Sequence, residues 1–279
     1  MARALEGIGM ELGLDAIRAV AVDVDGTLAN TDHEVSERTL RALRAVQDAG
    51  LLVVLVTGRS RQSALGIAHG AGLRTPLICC NGALIVDPTT TTTLRKVALP
   101  DEEVQALLDT ADELDLMSTW WSADEINVSR AGEGARLLEL LNDQPMVVAD
   151  PENVQSGTVL KAMVYGTTEE LDRAKDYLLS RLPRLSRSMD QFFELSPATA
   201  GKWQSLQYVL DEHRISPKDC LGFGDGGNDV PWLREIGHPV AVANAREEVK
   251  AVARYSTGHH GDDGVAAFLE QLLNTGYVA

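Results

Sequence analysis

The chain of 279 residues is poor in cysteine, poor in positive charge and without a long apolar run. Its three cysteines, Cys79, Cys80 and Cys220, exclude a disulfide framework, and no C-x-x-C pair is present for zinc. Cys79 and Cys80 stand side by side in an apolar stretch and read as small core residues. Lys and Arg number 25 against 41 Asp and Glu, a formal net charge of −16. A surface this negative repels phosphate backbones and anionic lipid, which argues against nucleic-acid and membrane-surface partners. A phosphorylated small molecule is still compatible, because a bound divalent cation or inward-facing Lys/Arg reverses the field locally. The longest apolar run, Leu51 to Val56, falls far short of the roughly 20 residues that span a bilayer. Arg3, Glu6 and Glu11 interrupt the N-terminal apolar residues, so no signal-peptide core is expected and the expected location is cytoplasmic. Hydrophobic residues at 44% and charged residues at 24% exclude wholesale disorder. The length suits about two domains. No internal repeat is evident.

Three apolar runs in the first third, Ile17–Val22, Leu51–Val56 and Leu77–Cys80, are continuous rather than alternating. Strands buried on both faces of a parallel sheet have that texture. Between them, 36–49 and 60–71 read as helices, each opened by a capping Ser and followed by Gly50 or Gly72. The same alternation returns near the end: helices over 202–213, 229–236, 245–253 and 265–273, and strands over 220–223, 239–242 and 255–256. The middle differs, with more polar alternation. Its expected strands are 92–97, 117–121, 125–128, 159–164, 187–189 and 192–195, and its expected helices 101–114, 131–141 and 168–181. The threonine run 89–93 is expected to begin the first of these strands. The expected fold is α/β: a Rossmann-like parallel-sheet core over 1–85 and 195–279, interrupted by an inserted α+β domain over 86–194.

Candidate chemistry lies just past strand ends, where open parallel sheets bind ligands. The first strand runs into Asp23-Val24-Asp25-Gly26-Thr27, two carboxylates two residues apart with a glycine turn behind them. Such like charges need a cation or a shared proton. A calcium loop would place Asp23, Asp25 and Glu34 at positions 1, 3 and 12, but Leu28 stands where that loop demands glycine. The second strand ends in Thr57-Gly58-Arg59, a hydroxyl and backbone N–H groups suited to phosphate. The third ends in Gly224-Asp225-Gly226-Gly227-Asn228-Asp229, acidic residues among glycines that suit a hard cation. Lys202 opens a helix just past the insertion, and by itself reads as a surface charge.

These four elements, in this order, resemble the haloacid dehalogenase superfamily of phosphotransferases. Asn81-Gly82-Ala83 and Gly261-Asp262-Asp263-Gly264-Val265-Ala266 are similar to stretches of its Cof-type branch, whose class IIB cap lies between the second and third motifs. The resemblance implies Mg²⁺-dependent hydrolysis of a small phosphate ester. It implies Asp23 as nucleophile and Asp25 as acid/base, with Thr57, Gly58, Lys202 and Asn228 on the phosphate. It further implies Asp23, the Asp25 carbonyl, Asp225 and Asp229 around the metal. Trp203, where Cof-type chains commonly carry Gly after the lysine, places a bulky ring near the site, and Val24 also matches the phosphomannomutase-like pattern. A phosphomutase and a non-catalytic phosphate-ligand-binding protein are the alternatives. The former should need a cluster of cap cations that the sequence does not display, and the latter should have lost one of Asp23, Asp25, Lys202 or Asp225. Trp120, Trp121, Arg130 and Arg136 are cap candidates for the leaving group. Trp120 and Trp121, adjacent on a strand, point to opposite faces, so one is expected in the core. His33, His259 and His260 read as solvated.

Overall fold

The computed structural model describes residues 17–274; Arg3, Glu6 and Glu11 lie outside the described residues. Strands β1 (Ala19–Val22), β2 (Leu52–Leu55), β12 (Cys220–Gly224), β13 (His238–Ala241) and β14 (Tyr255–Ser256) form a parallel sheet in the order β14-β13-β12-β1-β2. The first strand is central, with Val22 opposite both Leu55 and Phe223. All four of its side chains are buried, as its unbroken apolar pattern requires. Helices α1 (Glu37–Asp48) and α2 (Arg61–Ala71) make the crossovers on the β2 side. Ser36 and Ser60 cap them by accepting the N–H groups of Thr39 and Ser63, and Gly72 ends α2 in the left-handed region.

A Val56–Ile78 bridge carries the core sheet on to β3 (Leu77–Cys79), which pairs antiparallel with β4 (Leu84–Val86), itself paired with β5 (Thr93–Lys96). Residues 93–96, expected to open the insertion, therefore belong to a core hairpin, and the expected boundary at 86 cuts β4. Of the threonine run only Thr93 enters that strand: residues 88–90 lie in the turn before it. The cause is the tight reversal at Cys80–Gly82, where Asn81 and Gly82 take φ of +53° and +100° and fold β4 back on β3. From these pairings we place the core–cap division near residues 97 and 196. Gly82 also has no room for a side chain: a Cβ there would lie 2.3 Å from the Gly201 carbonyl oxygen, beside Lys202.

The cap is a six-stranded sheet in the order β10-β11-β9-β6-β7-β8, made of β6 (Met117–Trp121), β7 (Ile126–Val128), β8 (Val147–Val148), β9 (Lys161–Tyr165), β10 (Ser186–Met189) and β11 (Phe192–Leu195). Its neighbours run antiparallel except β7 and β8. Helices α3 (Asp101–Glu113) and α5 (Thr168–Arg181) supply Val104, Leu107, Leu171 and Leu178 to a core shared with Trp120, Val164 and Phe193. The opposite face, with Met117, Trp121, Met163 and Phe192, is continuous with the apolar core of the parallel-sheet domain. Helix α4 (Glu133–Asn142) adds Ala135 and Leu138 to it. Trp120 and Trp121 thus point to opposite faces, and both are buried. The last helices are α6 (Lys202–Glu212), α7 (Val230–Leu233), α8 (Glu247–Val252) and α9 (Gly264–Asn274). Among the described residues no helix is long and apolar enough to cross a membrane.

Candidate active site

Because β1 and β12 are neighbours in register, their carboxyl ends bring Asp23 and Asp225 together, and α7 begins just after Asp229. Each of these three carboxylates offers an oxygen within 4.8 Å of the others. Glycine makes the approach possible: Gly26, at φ +76°, would set a Cβ 2.5 Å from Asp225 Oδ2. Lys202 enters from the N-terminus of α6 and donates to Asp23 Oδ1 at 2.6 Å and to Asp229 Oδ1 at 2.7 Å. All three groups are buried. Burial, with Asp229 and Asp225 nearby, pushes the Asp23 carboxyl well above the usual carboxylate range, although Lys202 pulls it back. Burial opposes the charge on Lys202, but Asp229 and Asp23 more than offset it and hold the ammonium above its ordinary value. Asp225 is raised by burial and by Asp229, against a 2.9 Å hydrogen bond from the Thr27 hydroxyl.

Asp229 carries the densest set of partners. Its Oδ1 accepts from Lys202 Nζ and from Trp232 Nε1 at 3.0 Å, and its Oδ2 accepts from the backbone N–H groups of Asp225 and Gly226. Four donors on two oxygens fill a carboxylate's accepting capacity. Asp229 therefore orients Lys202 and the Asp225 loop. Asp25 meets Arg59, whose Nε and Nη2 reach its carboxylate at 3.0 and 2.7 Å. Arg59 is buried and is fixed further by the His33 carbonyl and the Ser63 hydroxyl.

Beyond β2, the Thr57 hydroxyl accepts the Arg59 N–H at 3.0 Å, which leaves its own proton free to donate. Among the described residues no protein acceptor takes the Gly58 N–H. The peptide carbonyls of this loop turn away from the site. Those of Thr57 and Arg59 accept the N–H groups of Asn81 and Cys80 at 3.0 and 2.9 Å. A carboxylate, an ammonium, a hydroxyl and an open N–H thus converge at the ends of three parallel strands, which is the chemistry that phosphoryl transfer needs.

A family model described as haloacid dehalogenase-like hydrolase matches residues 20–269. The chain belongs to that family. It is similar to the Bacillus subtilis protein named Phosphatase YwpJ, at 28% identity over 92% of this chain and all of the relative. It is also similar to the B. subtilis 5-amino-6-(5-phospho-D-ribitylamino)uracil phosphatase YwtE, at 26% identity over 94% of this chain and all of that one. The crystal structure of a haloacid dehalogenase-like hydrolase from Bacteroides thetaiotaomicron superposes with a TM-score of 0.85 at 27% identity, covering 91% of this chain and 99% of that one.

Within this hydrolase, other residues singled out in the sequence fall into place. Asn228 is exposed and its Nδ2 lies 3.5 Å from Asn81 Oδ1, so it touches Asn81 and not Lys202. His259 and His260 are half-buried rather than solvated, their ring centroids 4.5 Å apart, and His260 Nδ1 lies 2.6 Å from the Ala29 carbonyl. With Asp263, which accepts from Ser36 and Thr39, they brace the segment behind the first motif. His33 is half-buried, Arg130 pairs with Asp115 at 2.5 Å, and Arg136 is exposed. Two buried cap residues passed unnoticed in the sequence, Lys161 and Glu194, and so did the role of Arg59. The signal available was a charged residue at an inward position of an otherwise apolar strand.

The residues of the hydrolase fit a hard divalent cation: three clustered carboxylates face one lysine, and two of the three are raised by their mutual repulsion and burial. That imbalance predicts a pH signature. A carboxyl whose folded pKa lies above its unfolded value makes the folded state bind more protons, so stability declines as pH rises through the folded value. Without metal, wild type should therefore lose melting temperature relative to Asp225→Asn as pH rises from about 4, the unfolded carboxylate value, through the raised values of Asp23 and Asp225. A divalent cation at pH 7.5 should restore it. Asp225→Asn should flatten both responses. Scanning fluorimetry against pH, with EDTA and with metal, reads all three, and a melting temperature indifferent to metal would contradict the site.

Proposed function

We propose that this hydrolase is a cytoplasmic, Mg²⁺-dependent phosphomonoesterase that cleaves a small sugar or polyol phosphate through an aspartyl-phosphate intermediate. The observation that carries the reading is the presentation of Asp23. Its Oδ1 is tethered to Lys202, while among the described residues no donor reaches Oδ2, which is therefore available to attack phosphorus in line. Lys202, the Thr57 hydroxyl and the Gly58 N–H would take the charge on the transferring phosphoryl oxygens. Asp25 would protonate the leaving alcohol, then remove a proton from the water that hydrolyses the intermediate. The Arg59 guanidinium fixes where the Asp25 side chain sits. Asn228, whose Nδ2 lies 3.5 Å from Asn81 Oδ1, would meet the phosphate from the Asn81 side of the cradle. Asp23, Asp225 and the Asp25 carbonyl would hold Mg²⁺, with Asp229 supporting them through its contacts to Lys202 and the Asp225 loop. When bound, the metal would offset the repulsion between carboxylate and phosphate.

The name of the relative YwtE, a phosphatase of a ribityl phosphate, supports a polyol-like substrate. A phosphomutase would need a free cap cation for a second phosphate, whereas the buried Lys161 is already matched by Glu194 at 3.6 Å. The test is release of inorganic phosphate from a panel of sugar, polyol, nucleotide and cofactor monophosphates, with Mg²⁺ and with EDTA. Metal-dependent turnover, highest on sugar or polyol esters, is expected. No turnover of any ester by folded, metal-loaded protein would overturn the reading, and dependence on a sugar bisphosphate activator would favour the mutase.

A further inference from the structure

The face that the cap sheet turns toward the core is apolar over Met117, Trp121, Ile126, Met163 and Phe192, yet it carries a buried ion pair. Lys161 on β9 is 4% exposed and Glu194 on β11 is 8% exposed. Two buried charges on an apolar face are expensive unless their geometry answers a need. Lys161 Nζ lies 3.6 Å over the Trp121 ring and 3.6 Å from Glu194 Oε2, and it donates its hydrogen bond to neither. Its 2.8 Å hydrogen bond crosses to the other domain and ends on the carbonyl oxygen of Gly58. Glu194 crosses the same boundary, accepting Asn81 Nδ2 at 2.5 Å.

The three consecutive carbonyls of the phosphate loop are thereby all bound. Thr57 and Arg59 are held by core N–H groups of Asn81 and Cys80, and among the described residues the Gly58 carbonyl between them is held only by the cap lysine. A Gly-containing loop has the widest backbone freedom, so the middle peptide is the one that most needs an anchor. A planar trans peptide aims its N–H opposite its carbonyl, so the Thr57 carbonyl on Asn81 sets the Gly58 N–H, and the Gly58 carbonyl on Lys161 sets the Arg59 N–H that holds the Thr57 hydroxyl.

We propose that Lys161 is a positioning residue that completes the phosphate cradle from the cap, so that the cradle reaches its working geometry only while the cap is docked. This rests on the phosphatase reading above, and assigns to Lys161 a role in holding the phosphoryl group rather than the leaving alcohol. Glu194 offsets the lysine's charge at 3.6 Å and ties Asn81 to the same cap face.

The experiment compares wild type, Glu194→Gln, Lys161→Met and the double variant Lys161→Met/Glu194→Gln, each loaded with Mg²⁺. Orthovanadate binding by calorimetry and kcat/KM on p-nitrophenyl phosphate are measured beside the melting temperature. Lys161→Met alone strands a buried carboxylate and should melt lower; the double variant removes both charges and should recover most of that loss. Its vanadate Kd and kcat/KM should nevertheless remain about 10- to 100-fold worse than wild type, the weight of one hydrogen bond from a charged donor. Glu194→Gln, which leaves Lys161 on Gly58, should stay much closer to wild type in both. Recovery of vanadate affinity together with stability in the double variant would overturn the proposal, reducing the pair to packing. So would a loss in Glu194→Gln as large as in Lys161→Met, a comparison that stands even if the double variant fails to fold. A loss confined to sugar phosphates, with vanadate binding unchanged, would assign Lys161 to the leaving group and equally overturn it. Wild type that binds vanadate without turning over any ester would fail the phosphatase reading and leave the cradle comparison intact.

Discussion

Replacing Asp23 by Asn is expected to lower phosphate release by at least about a thousandfold, because the substitution removes the attacking oxygen itself. The same change should leave the fold intact and raise the metal-free melting temperature. Asp23 is buried beside two other carboxylates, and its charge is disfavoured there by burial and by Asp229 and Asp225. A neutral amide of the same shape removes that repulsion, keeps an oxygen for Lys202, and leaves Lys202 its second partner at 2.7 Å. Activity and stability should thus move in opposite directions at one position. Phosphate release and scanning fluorimetry on the same preparation check both, and activity within tenfold of wild type would remove Asp23 as the nucleophile.

Asp229→Asn should do the reverse, damaging the fold first. The carboxylate is fully buried and accepts on both oxygens, from Lys202 and Trp232 on one and from the Asp225 and Gly226 N–H groups on the other. An amide offers acceptors on one side only. Whichever way it flips, an NH₂ group meets two donors, and Lys202 also loses a negative partner in a buried site. Breaking a buried ion pair from one side destabilises by about 3–5 kcal/mol, and urea unfolding at fixed metal concentration measures it. Turnover should fall as well, since the ammonium and the Asp225 loop lose the group that orients them. A loss below about 1 kcal/mol, the scale of a single neutral hydrogen bond, would contradict this account.

What could be read from residues alone follows the physics of each signal. Runs such as Ala19–Val22 and Leu52–Leu55 are apolar on both faces, and this marks buried parallel strands whatever surrounds them. Asp23, Thr57 and Asp225 were legible because strand ends of a parallel sheet are where chemistry collects. The hairpin of β3 and β4 was not, since its reversal depends on Asn81 and Gly82 adopting positive φ, and Leu84–Val86 is too short to announce itself. The helix expected over 229–236 shrank to Val230–Leu233, ending before the chain enters β13. Arg59, Lys161 and Glu194 needed three dimensions: each meets a charged or polar partner more than 30 residues away in sequence. A lysine in a cap strand looks like any solvated strand residue until the sheet's inward face is known.

The position of β1 in the sheet has a consequence for how the protein is made. Its two neighbours are β2, which follows closely, and β12, whose Cys220 pairs with Ala19 from about 200 residues downstream. At a synthesis rate of roughly 5–20 residues per second, the nascent chain carries one unpaired edge of its central apolar strand for about 10 to 40 s, until the entire cap has emerged. The C-terminal segment then closes over the start, with Glu270 on Arg38 at 2.7 Å. Such non-local parallel pairing is intrinsically slow and leaves partly made chains open to aggregation. Chains truncated before Cys220 should accordingly be the ones that need a chaperone's protection.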